Sequence, residues 1–507
     1  MVNLTEGEFC AVPVSGDRPV LIPLFAELPL PGISPCDLYA AFGKAPSYIL
    51  ESIEGNEKIA RYSCIGFSPV FSITFGSTFS CTGAEPLLSL TGRVKSGNPV
   101  QAVREILNGI EVAGIPAPKF FGGLTGYFSY DLIRDLHPAH FSSRNRDPEP
   151  VAPRAEFLLV KDCMVFDHRK GTLYVIASVL LTGGEDLATE YANAVRTIQE
   201  RVRRIHEVSA SFAGADPEEK SLRLQDTERA PAYASNMTRQ EFMDAVVRIK
   251  EYIAAGETFQ TVLSRKLECG IRCRPFDIYR ALRSINPSPY LYYLDFGDHQ
   301  VIGASPEMLV RVENGTVTTV PIAGTRKRGK NPEEDDALAR ELFADEKERA
   351  EHTMLVDLAR NDIGRGAEFG SVHVDGFMSV EKFSHVQHLV SVVEGKLSQE
   401  YDAFDAFSAC FPAGTVSGAP KIRAMQIIDE IEPSQRGLYA GAVGYIGFDK
   451  VLEFAIAIRT LEVSGGIARI QVGAGIVADS VPASEWEETE NKCRAMLAAV
   501  AAAERLS

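Results

Sequence analysis

The chain has 507 residues, and its 45% hydrophobic and 24% charged content is ordinary for a globular protein. Its formal net charge of −16 argues against a nucleic-acid partner, because phosphate binding needs a basic face. The nine cysteines are scattered and odd in number, which favours reduced thiols in a cytoplasmic protein. The sequence predicts neither a leader nor a membrane span, because it has no suitably long apolar stretch.

The first 212 residues predict a mixture of strands and helices. Residues 69–75 alternate between apolar and polar side chains, and residues 173–177 form a β-branched apolar run, so both are predicted strands. A helical pattern opens at residues 184–186 and continues to about His206.

A polar stretch that contains proline separates this region from the rest of the chain. It covers residues 213–237 and is predicted to be a linker. Thr238 and Glu241 then have the spacing of a capping box, which predicts the start of a helix. The predicted organisation is an N-terminal region over 1–212, the linker, and a C-terminal domain over 238–507, with fold class α/β (α+β).

Two glycine-containing segments imitate nucleotide-binding loops. Residues 324–330 have the spacing of a phosphate-binding loop, but Asn331 stands where Ser or Thr would contact Mg²⁺. Asn331 and Pro332 instead predict the start of a helix. Residues 473–475 match the outline of a dinucleotide-binding motif, but residues 479–482 break the helix that this motif requires. These glycines are predicted to present backbone N–H groups to an anion.

Two pairs of glutamates are predicted to lie on helix faces. Residues 332–362 have apolar side chains at helical spacing and predict one long helix, on which Glu348 and Glu351 share a face. Ser484 is the predicted N-cap of a second helix, on which Glu485 and Glu488 share a face.

These pairs allow two interpretations. The first pair is compatible with a solvated face that Lys347 and Arg349 neutralise. Alternatively, two helices that offer carboxylates and no other ligand type suit Mg²⁺, which binds few carboxylates and keeps water molecules for its substrate. The sequence has no HExxH motif, so a zinc hydrolase is not indicated.

Small residues concentrate in residues 411–421. This composition predicts either a long turn between helices or a backbone surface that holds a ligand. Three further segments, 439–445, 457–460 and 473–475, each bring glycine or a single polar side chain to the end of an apolar run. Together these motifs resemble the chorismate-utilising enzymes, and among them the large subunits of anthranilate synthases, over about residues 238–502.

The resemblance implies a large two-layered sandwich of sheets and helices with the active site in a cleft between the layers. It implies that Glu351 and Glu488 bind Mg²⁺, with Glu348 and Glu485 as second acidic neighbours.

The resemblance also implies the catalytic groups. Glu307 matches a general acid and His388 matches a catalytic histidine. The implied substrate-binding residues are Thr415, Tyr439, Arg459, Gly473, Gly475 and Lys492.

The implied substrate, chorismate, is a dianion whose carboxylates suit Mg²⁺ and Arg459. A protonated Glu307 is expected to donate a proton as the C4 hydroxyl leaves. Ammonia then adds at C2, and pyruvate is lost with the assistance of His388. Relatives that add water carry a lysine at the position of Gln260, and relatives that make aminodeoxychorismate carry a nucleophilic lysine at Ala323. Both absences favour anthranilate over aminodeoxychorismate, isochorismate or salicylate as the product.

The N-terminal region is implied to bind tryptophan as a feedback inhibitor. Glu51 is expected to pair with the amino group, and the indole to pack on Pro289 and Tyr290. Leu291 stands where many relatives have methionine. The implied inhibitor-binding residues are Glu51, Ser52, Ser63, Pro289, Tyr290 and Leu291.

Ammonia is expected to come from a partner. Glutamine hydrolysis requires an activated cysteine that a histidine orients, and none of the nine cysteines stands in such a setting. The resemblance therefore implies a separate glutamine amidotransferase subunit. A tryptophan-binding module without catalysis would lack Glu307 and His388, and both are present.

Overall fold

A computed structural model of the chain describes residues 2–14, 18–53, 61–83, 92, 94, 97–113, 118–141, 152–212, 231–382 and 386–505. Over these residues the strands are β1 Val20–Ile22, β2 Phe25–Pro29, β3 Ser47–Glu51, β4 Tyr62–Phe67, β5 Phe71–Phe75, β6 Phe79–Gly83, β7 Glu111–Val112, β8 Gly123–Phe128, β9 Ala155–Val160, β10 Asp162–Asp167, β11 Thr172–Ala177, β12 Val179–Leu181, β13 Ala234–Ser235, β14 Gln260–Gly270, β15 Tyr290–Asp295, β16 His299–Ser305, β17 Met308–Glu313, β18 Thr316–Thr319, β19 Ile322–Lys327, β20 His373–Lys382, β21 Val386–Lys396, β22 Gly418–Ala419, β23 Ala442–Gly447, β24 Leu452–Ile456, β25 Thr460–Ser464 and β26 Ile467–Ile476. The α-helices are α1 Glu6–Cys10, α2 Pro35–Phe42, α3 Pro99–Asn108, α4 Ile133–Leu136, α5 Leu187–Phe212, α6 Arg239–Ala254, α7 Pro275–Ile285, α8 Pro332–Ala344, α9 Glu346–Gly364, α10 Ala403–Cys410, α11 Gly414–Ser417, α12 Lys421–Ile431 and α13 Pro482–Glu504.

Most strands belong to two large antiparallel sheets. Over the described residues, the twelve-stranded sheet has the order β13-β14-β26-β25-β16-β15-β3-β4-β10-β11-β2, with β22 paired to β14. The eleven-stranded sheet has the order β19-β21-β18-β17-β24-β23-β8-β9-β5-β6, with β20 paired to β21. A small sheet has the order β12-β1-β7. The predicted sandwich of sheets and helices is confirmed, and its antiparallel pairing makes it an α+β fold.

Strand periodicity divides the core into layers. Along β10, Val165 belongs to a core that also contains Phe157 and Phe454 of the eleven-stranded sheet. Its neighbours Met164 and Phe166 point to the opposite face, because side chains alternate along a strand. On that face α2, α5, α7 and α13 cover the twelve-stranded sheet. Within the described residues, each helix is either too short or too polar to cross a membrane.

Both large sheets take strands from each side of the predicted linker. In the twelve-stranded sheet β3 pairs with β15, and in the eleven-stranded sheet β8 pairs with β23. Residues 213–230 of the predicted linker lie outside the described residues, and its residues Ala234–Ser235 form β13. The predicted division at residue 212 therefore does not separate one sheet from the other.

Several local predictions from the sequence are confirmed. β5 lies within the predicted strand at 69–75, and Thr238 starts α6 with a capping box. Asn331 caps α8, as expected. Residues 324–327 of the apparent phosphate-binding loop belong to strand β19, so that segment is not a loop.

Two predicted helix boundaries are wrong. The single helix expected over 332–362 is two helices, because Asp345 has extended backbone and its carboxylate caps α9. The helix that carries Glu485 begins at Pro482 rather than after Ser484, since proline at the first helical position loses no hydrogen bond. In each glutamate pair, the two residues still lie three positions apart on the same helix.

Two of the places where the chain passes from one large sheet to the other are neighbours in space, and they are called the first and the second crossing. The first crossing joins β16 to β17 and contains Glu307. The second joins β24 to β25 and contains Arg459, which has a φ of 51°. The backbone N–H of Ala304 donates to the carbonyl of Arg459 at 3.1 Å, which ties the two crossings together.

The glycine-rich segment at 411–421 packs against the edge of the twelve-stranded sheet. It forms the short helix α11 and then strand β22, which pairs with Gln260. Gly418 has a φ of 138°, and a Cβ there would lie 2.2 Å from the carbonyl oxygen of Gln260, so only glycine fits. Lys421 anchors the end of the segment through a buried ion pair with Asp362 at 2.7 Å.

Replacing Lys421 with methionine is expected to destabilise the fold by about 3–5 kcal/mol, because Asp362 would stay buried without its counter-charge. The free energy of unfolding in urea measures this effect. The double variant K421M/D362L should recover a large part of the loss, since it removes both charges.

The matched control is the exposed pair Arg360–Asp357, whose atoms lie 3.0 Å apart. Arg360→Met should change the free energy of unfolding by less than about 1 kcal/mol, because exposed pairs contribute little. A loss for K421M no larger than this control would show that the buried pair does not hold the segment in place.

Candidate active site

Glu307 is a buried carboxylic acid at the first crossing between the sheets, with 8% of the residue exposed. Burial raises the pKa of Glu307 to about 8, although Thr415, Arg459 and Lys492 each lower it. The hydroxyl of Thr415 faces this carboxyl without a hydrogen bond of standard geometry. A carboxylic acid with this pKa holds its proton at neutral pH and can donate it.

His388 lies on β21, and the fold fixes its tautomer. Its Nδ1 is 2.7 Å from the carbonyl oxygen of Gly324 and 3.2 Å from Oγ1 of Thr325. A carbonyl oxygen can only accept, so Nδ1 carries the proton and Nε2 carries the lone pair. Burial lowers the pKa of His388, so the ring is neutral near pH 7. This arrangement makes Nε2 a proton acceptor.

Arg459 supplies a positive charge at the second crossing. Within the described part of the chain it makes no ion pair at 4.0 Å or less. Burial lowers the pKa of Arg459, and Glu307 raises it. Glu307 is itself protonated at neutral pH, so the guanidinium has no negative charge beside it. An enclosed guanidinium of this kind suits a carboxylate ligand.

Two glycines of β26 allow close packing at the wall of the site. A Cβ on Gly473 would lie 2.6 Å from Oη of Tyr439, and a Cβ on Gly475 would lie 2.5 Å from Nε2 of Gln260. The strand runs through both glycines instead of turning into a helix, which agrees with the rejection of a dinucleotide-binding motif. Glycine is therefore needed for the side chains of Tyr439 and Gln260 to lie against the strand.

The side-chain carbonyl oxygen of Gln260 is a buried hydrogen-bond acceptor. The residue is 4% exposed, and within the described residues its Oε1 has no hydrogen-bond partner. A buried polar atom of this kind is unfavourable unless a ligand or water satisfies it.

The two predicted pairs of glutamates meet between α9 and α13. Burial and then the neighbouring charges of Glu348 and Glu488 raise the pKa of Glu351. Burial and Glu488 also raise the pKa of Glu485, while a hydrogen bond from Ser480 lowers it. Carboxylates that raise one another's pKa in this way repel, and a divalent cation between them would relieve the repulsion.

Nearby cations neutralise this acidic group only in part. Lys347 lowers the pKa of Glu351 and of Glu485. Arg349, which the alternative interpretation also invoked, instead places its guanidinium 5.6 Å from the ring centroid of Phe343.

Lys492 joins the acidic group to the glycine wall. Its Nζ lies 2.7 Å from Oε1 of Glu488 and donates to the carbonyl of Gly473 at 2.9 Å. The structure therefore brings together residues from all the predicted catalytic and substrate-binding segments.

A different group of ligand-type side chains lies on the hairpin of β20 and β21. The ligand atoms of His373, Asp375 and Glu394 lie within 4.8 Å of one another, and two of these residues are exposed. Over the described residues, no three of the predicted metal-site carboxylates meet this spacing. The predicted Mg²⁺ site is thus more open than this surface group.

The predicted inhibitor residues are also neighbours. Leu291 pairs with Glu51 across β15 and β3, and Ser52 Oγ donates to the carbonyl of Pro289 at 2.7 Å. The carboxylate of Glu51 already accepts hydrogen bonds from Tyr279 and Arg283. Oε2 accepts two of these hydrogen bonds and Oε1 accepts one, so an ammonium group could still bind at Oε1.

The remaining inhibitor residues have partners of their own. Ser63 Oγ lies 2.8 Å from Nε2 of His168, and Tyr290 Oη donates to Glu453 at 3.1 Å.

Sequence reasoning missed the groups that orient His388. Gly324 and Thr325 were considered only as part of an apparent phosphate-binding loop. The irregular register between β19 and β21 at residues 323–326 places both beside the histidine, and no local sequence signal marks that register.

Replacing Glu307 with glutamine is expected to stabilise the protein at alkaline pH. The carboxyl loses its proton near pH 4.5 in the unfolded chain and near pH 8 in the folded one. Between these values the folded state holds the extra proton, so this residue lowers stability progressively as the pH rises. The variant should gain on the order of a few kcal/mol at pH 8.5 and little at pH 4.

Thermal unfolding of both proteins from pH 4 to pH 9 measures this difference. Glu313→Gln is a suitable control, because Glu313 is a partly exposed glutamate that pairs with Lys119. A stability difference for Glu307→Gln that does not change with pH would contradict the raised pKa.

The comparisons with known proteins agree with this geometry. The family of chorismate binding enzymes matches residues 46–498, which extends the predicted resemblance well into the N-terminal region. Anthranilate synthase component 1 of Acetivibrio thermocellus is 43% identical over 488 residues, covering 95% of each chain. The protein of that name from Pseudomonas aeruginosa is 44% identical over 491 residues, covering 96% of each chain. The crystal structure of anthranilate synthase component I from Streptococcus pneumoniae has a TM-score of 0.68 at 38% identity and covers 93% of this chain and 99% of that one. The chain therefore belongs to the chorismate binding enzyme family, and nearly all of it is similar to component 1 of anthranilate synthases.

Proposed function

We propose that this chain converts chorismate and ammonia to anthranilate and pyruvate, with Mg²⁺, as the first step of tryptophan biosynthesis. It would thus be a lyase. The observation that carries the proposal is the pair at the two crossings. There Glu307 is a carboxylic acid with a pKa of about 8, and it lies beside the guanidinium of Arg459, which has no ion-pair partner among the described residues. A proton donor beside an anion-binding group suits an anionic substrate with a poor leaving group.

Substrate binding follows from the charges around the cleft. Arg459 is placed to bind the enolpyruvyl carboxylate, beside Tyr439 and the wall formed by Gly473 and Gly475. The other carboxylate would lie toward the acidic group, with Thr415 and Lys492 on the ring side. Without a cation this group would repel a dianion, so its oxygen-only ligands and the raised pKa of Glu351 and of Glu485 fit Mg²⁺. Glu351 and Glu488 would hold Mg²⁺, with Glu348 and Glu485 beside them, and the ion would supply positive charge to the ring carboxylate.

The first chemical step replaces the C4 hydroxyl by an amine at C2. Glu307 donates its proton to the C4 oxygen as the C4–O bond breaks, and water leaves. The nitrogen lone pair of ammonia forms the new bond to C2, the two ring double bonds each shift by one position toward C4, and the added nitrogen loses a proton. Burial keeps Glu307 protonated until this step.

Two side chains favour ammonia over other nucleophiles. Gln260 is no base, so it cannot activate water, but its unpartnered Oε1 can accept an N–H of ammonia. Ala323 cannot bond covalently to the ring. These residues disfavour the alternatives of isochorismate, salicylate or aminodeoxychorismate as products.

The second step forms the aromatic ring. The C2–H proton is removed, the electron pair aromatises the ring, and the enolpyruvyl group leaves as pyruvate after it takes up a proton. Neutral His388, with its Nε2 lone pair fixed by the Gly324 carbonyl, assists this proton transfer. Its lowered pKa keeps it able to accept a proton at neutral pH.

Ammonia is proposed to reach the chain from a glutamine amidotransferase subunit. All nine cysteines are free, and seven of them are buried. Burial raises the pKa of Cys36 and of Cys410 to about 12, so neither thiol is a nucleophile near pH 7. The name component 1 of the relatives agrees with a second component.

Tryptophan is proposed to inhibit the enzyme from a site at the ends of β3 and β15. Ser52, Pro289 and Leu291 already lie together there. Glu51 would contact the amino group, with Tyr290 and Ser63 nearby. We propose a regulatory role for residues 1–212, a catalytic role for residues 238–507, and a cytoplasmic location.

The purified chain is expected to form anthranilate from chorismate, Mg²⁺ and ammonium salts, and to form none when glutamine replaces ammonium. Anthranilate is the expected product because no activating lysine stands at the positions of Gln260 and Ala323. Glutamine is not expected to replace ammonium, because the buried thiols are protonated. Chromatography of the products together with anthranilate fluorescence measures both results.

Glu307→Gln is the catalytic control and should lower kcat by about 10²–10⁴-fold, because it removes the proton donor. A dominant hydroxylated or para-aminated product would refute the proposed reaction. Formation of anthranilate from glutamine by the chain alone would refute the proposed partner.

Mg²⁺ is expected to stabilise the wild-type protein and to change the fluorescence of Trp486, its only tryptophan. Trp486 stands between Glu485 and Glu487, and its ring lies 3.9 Å from the guanidinium of Arg265. At 100 times Kd the stabilisation should be about 2.7 kcal/mol. Glu351→Gln should remove both responses and should raise stability in the absence of Mg²⁺, since it relieves the repulsion.

The matched control for this titration is Glu346→Gln, because Glu346 is an exposed glutamate in the first turn of the same helix. This variant should respond to Mg²⁺ as the wild type does. A wild-type response in Glu351→Gln would exclude Glu351 as a ligand.

A further inference from the structure

Ser288 links the predicted tryptophan site to the strand that carries the catalytic crossing. It is 2% exposed, and its single hydroxyl proton faces two carbonyl oxygens, those of Ala304 and Asn286, each 3.2 Å from Oγ. The next residue, Pro289, has its carbonyl oxygen bound by Ser52 Oγ at 2.7 Å. One side of this segment therefore contacts the predicted inhibitor site, and the other contacts β16.

The contact continues directly to the substrate-binding arginine. Ala304 accepts from Ser288 through its carbonyl and donates through its N–H to the carbonyl of Arg459 at 3.1 Å. Ala304 lies in β16, three residues before Glu307. Two hydrogen bonds thus separate the hydroxyl of Ser288 from the backbone of Arg459.

The backbone conformation of Arg459 makes the direction of its side chain depend on the position of Ala304. Its φ of 51° lies in the left-handed region, which a residue with a side chain adopts only when its surroundings hold it there. The hydrogen bond from Ala304 is one of the contacts that hold it. A shift of Ala304 would therefore change the direction of the guanidinium.

We infer that Ser288 is a positioning residue that transmits tryptophan binding to Arg459 through Ala304. The inference rests on the proposed function and states how its inhibition would act. Tryptophan seated against Ser52 and Pro289 moves the 286–290 segment, and Ser288 moves Ala304 with it. Arg459 then binds the substrate carboxylate less well.

Coupling of this kind is reciprocal, which gives a test by binding alone. Calorimetry would measure the Kd of tryptophan for the full chain with Mg²⁺, first without chorismate and then with saturating chorismate, and without ammonia so that anthranilate cannot form. For the wild type we expect chorismate to raise the Kd of tryptophan by about fivefold or more.

Without chorismate, Ser288→Ala should bind tryptophan with a Kd within about threefold of the wild-type value. The factor by which chorismate raises this Kd should be about fivefold smaller in the variant than in the wild type. This loss is what removal of one neutral hydrogen bond would produce. Ser288→Cys keeps the size and a weak donor, so its coupling should lie between the two.

Ser284→Ala is the matched control, since Ser284 is an exposed serine on the preceding helix whose hydroxyl bonds to Arg280 within that helix. It should keep the full coupling. Wild-type coupling in Ser288→Ala would overturn the inference and leave the proposed function intact. Loss of tryptophan binding in Ser288→Ala would assign Ser288 to the pocket itself and also overturn it. Failure of the wild-type chain to bind tryptophan would overturn the proposed inhibition together with the inference.

Discussion

The hydrogen bond between Ala304 and Arg459 is the contact on which the active site depends. It ties together two neighbouring crossings between the large sheets, and these crossings carry the side chains of Glu307 and Arg459. Glu307 is buried because it lies at a crossing between two packed sheets, and burial is what keeps its proton at neutral pH. The guanidinium of Arg459 is enclosed for the same reason. A proton donor and an anion-binding group therefore follow from how the sheets are connected.

In the acidic group between α9 and α13, in contrast to Glu307, negative charges lie close to one another. Glu351 and Glu488 come from helices far apart in the chain, and their repulsion lowers the stability of the protein when no cation is bound. Lys347 and Lys492 reduce this repulsion without abolishing it, because the pKa of Glu351 remains raised. Under the proposed function, charge that is left uncompensated in this way would favour binding of Mg²⁺ together with the anionic substrate, because each would reduce the repulsion on the other.

The sequence predicted those features that depend on short-range geometry. The capping box at Thr238 and the helix start at Asn331 depend on residues three positions apart, and both are confirmed. The boundary at Pro482 was missed because Ser484 offers an equally good local signal, and tertiary packing decides between them. The partners of Glu51 could not be predicted, because Arg283 is 232 positions away and meets it only through the pairing of β3 with β15. The predicted site residues themselves come together, since the motifs that carry them are long.

The pairing of β3 with β15 also bears on how the proposed tryptophan site would be connected to the proposed catalytic site. Strand β15 pairs with β16 on its other side, so the predicted tryptophan residues and the strand that leads to Glu307 belong to one continuous ladder of hydrogen bonds. A ligand that displaces the end of β3 or β15 would also displace β16, because packed protein interiors transmit displacement with little compression. The N-terminal region is therefore part of the scaffold that positions Glu307, and the proposed regulatory role for it requires no separate moving domain.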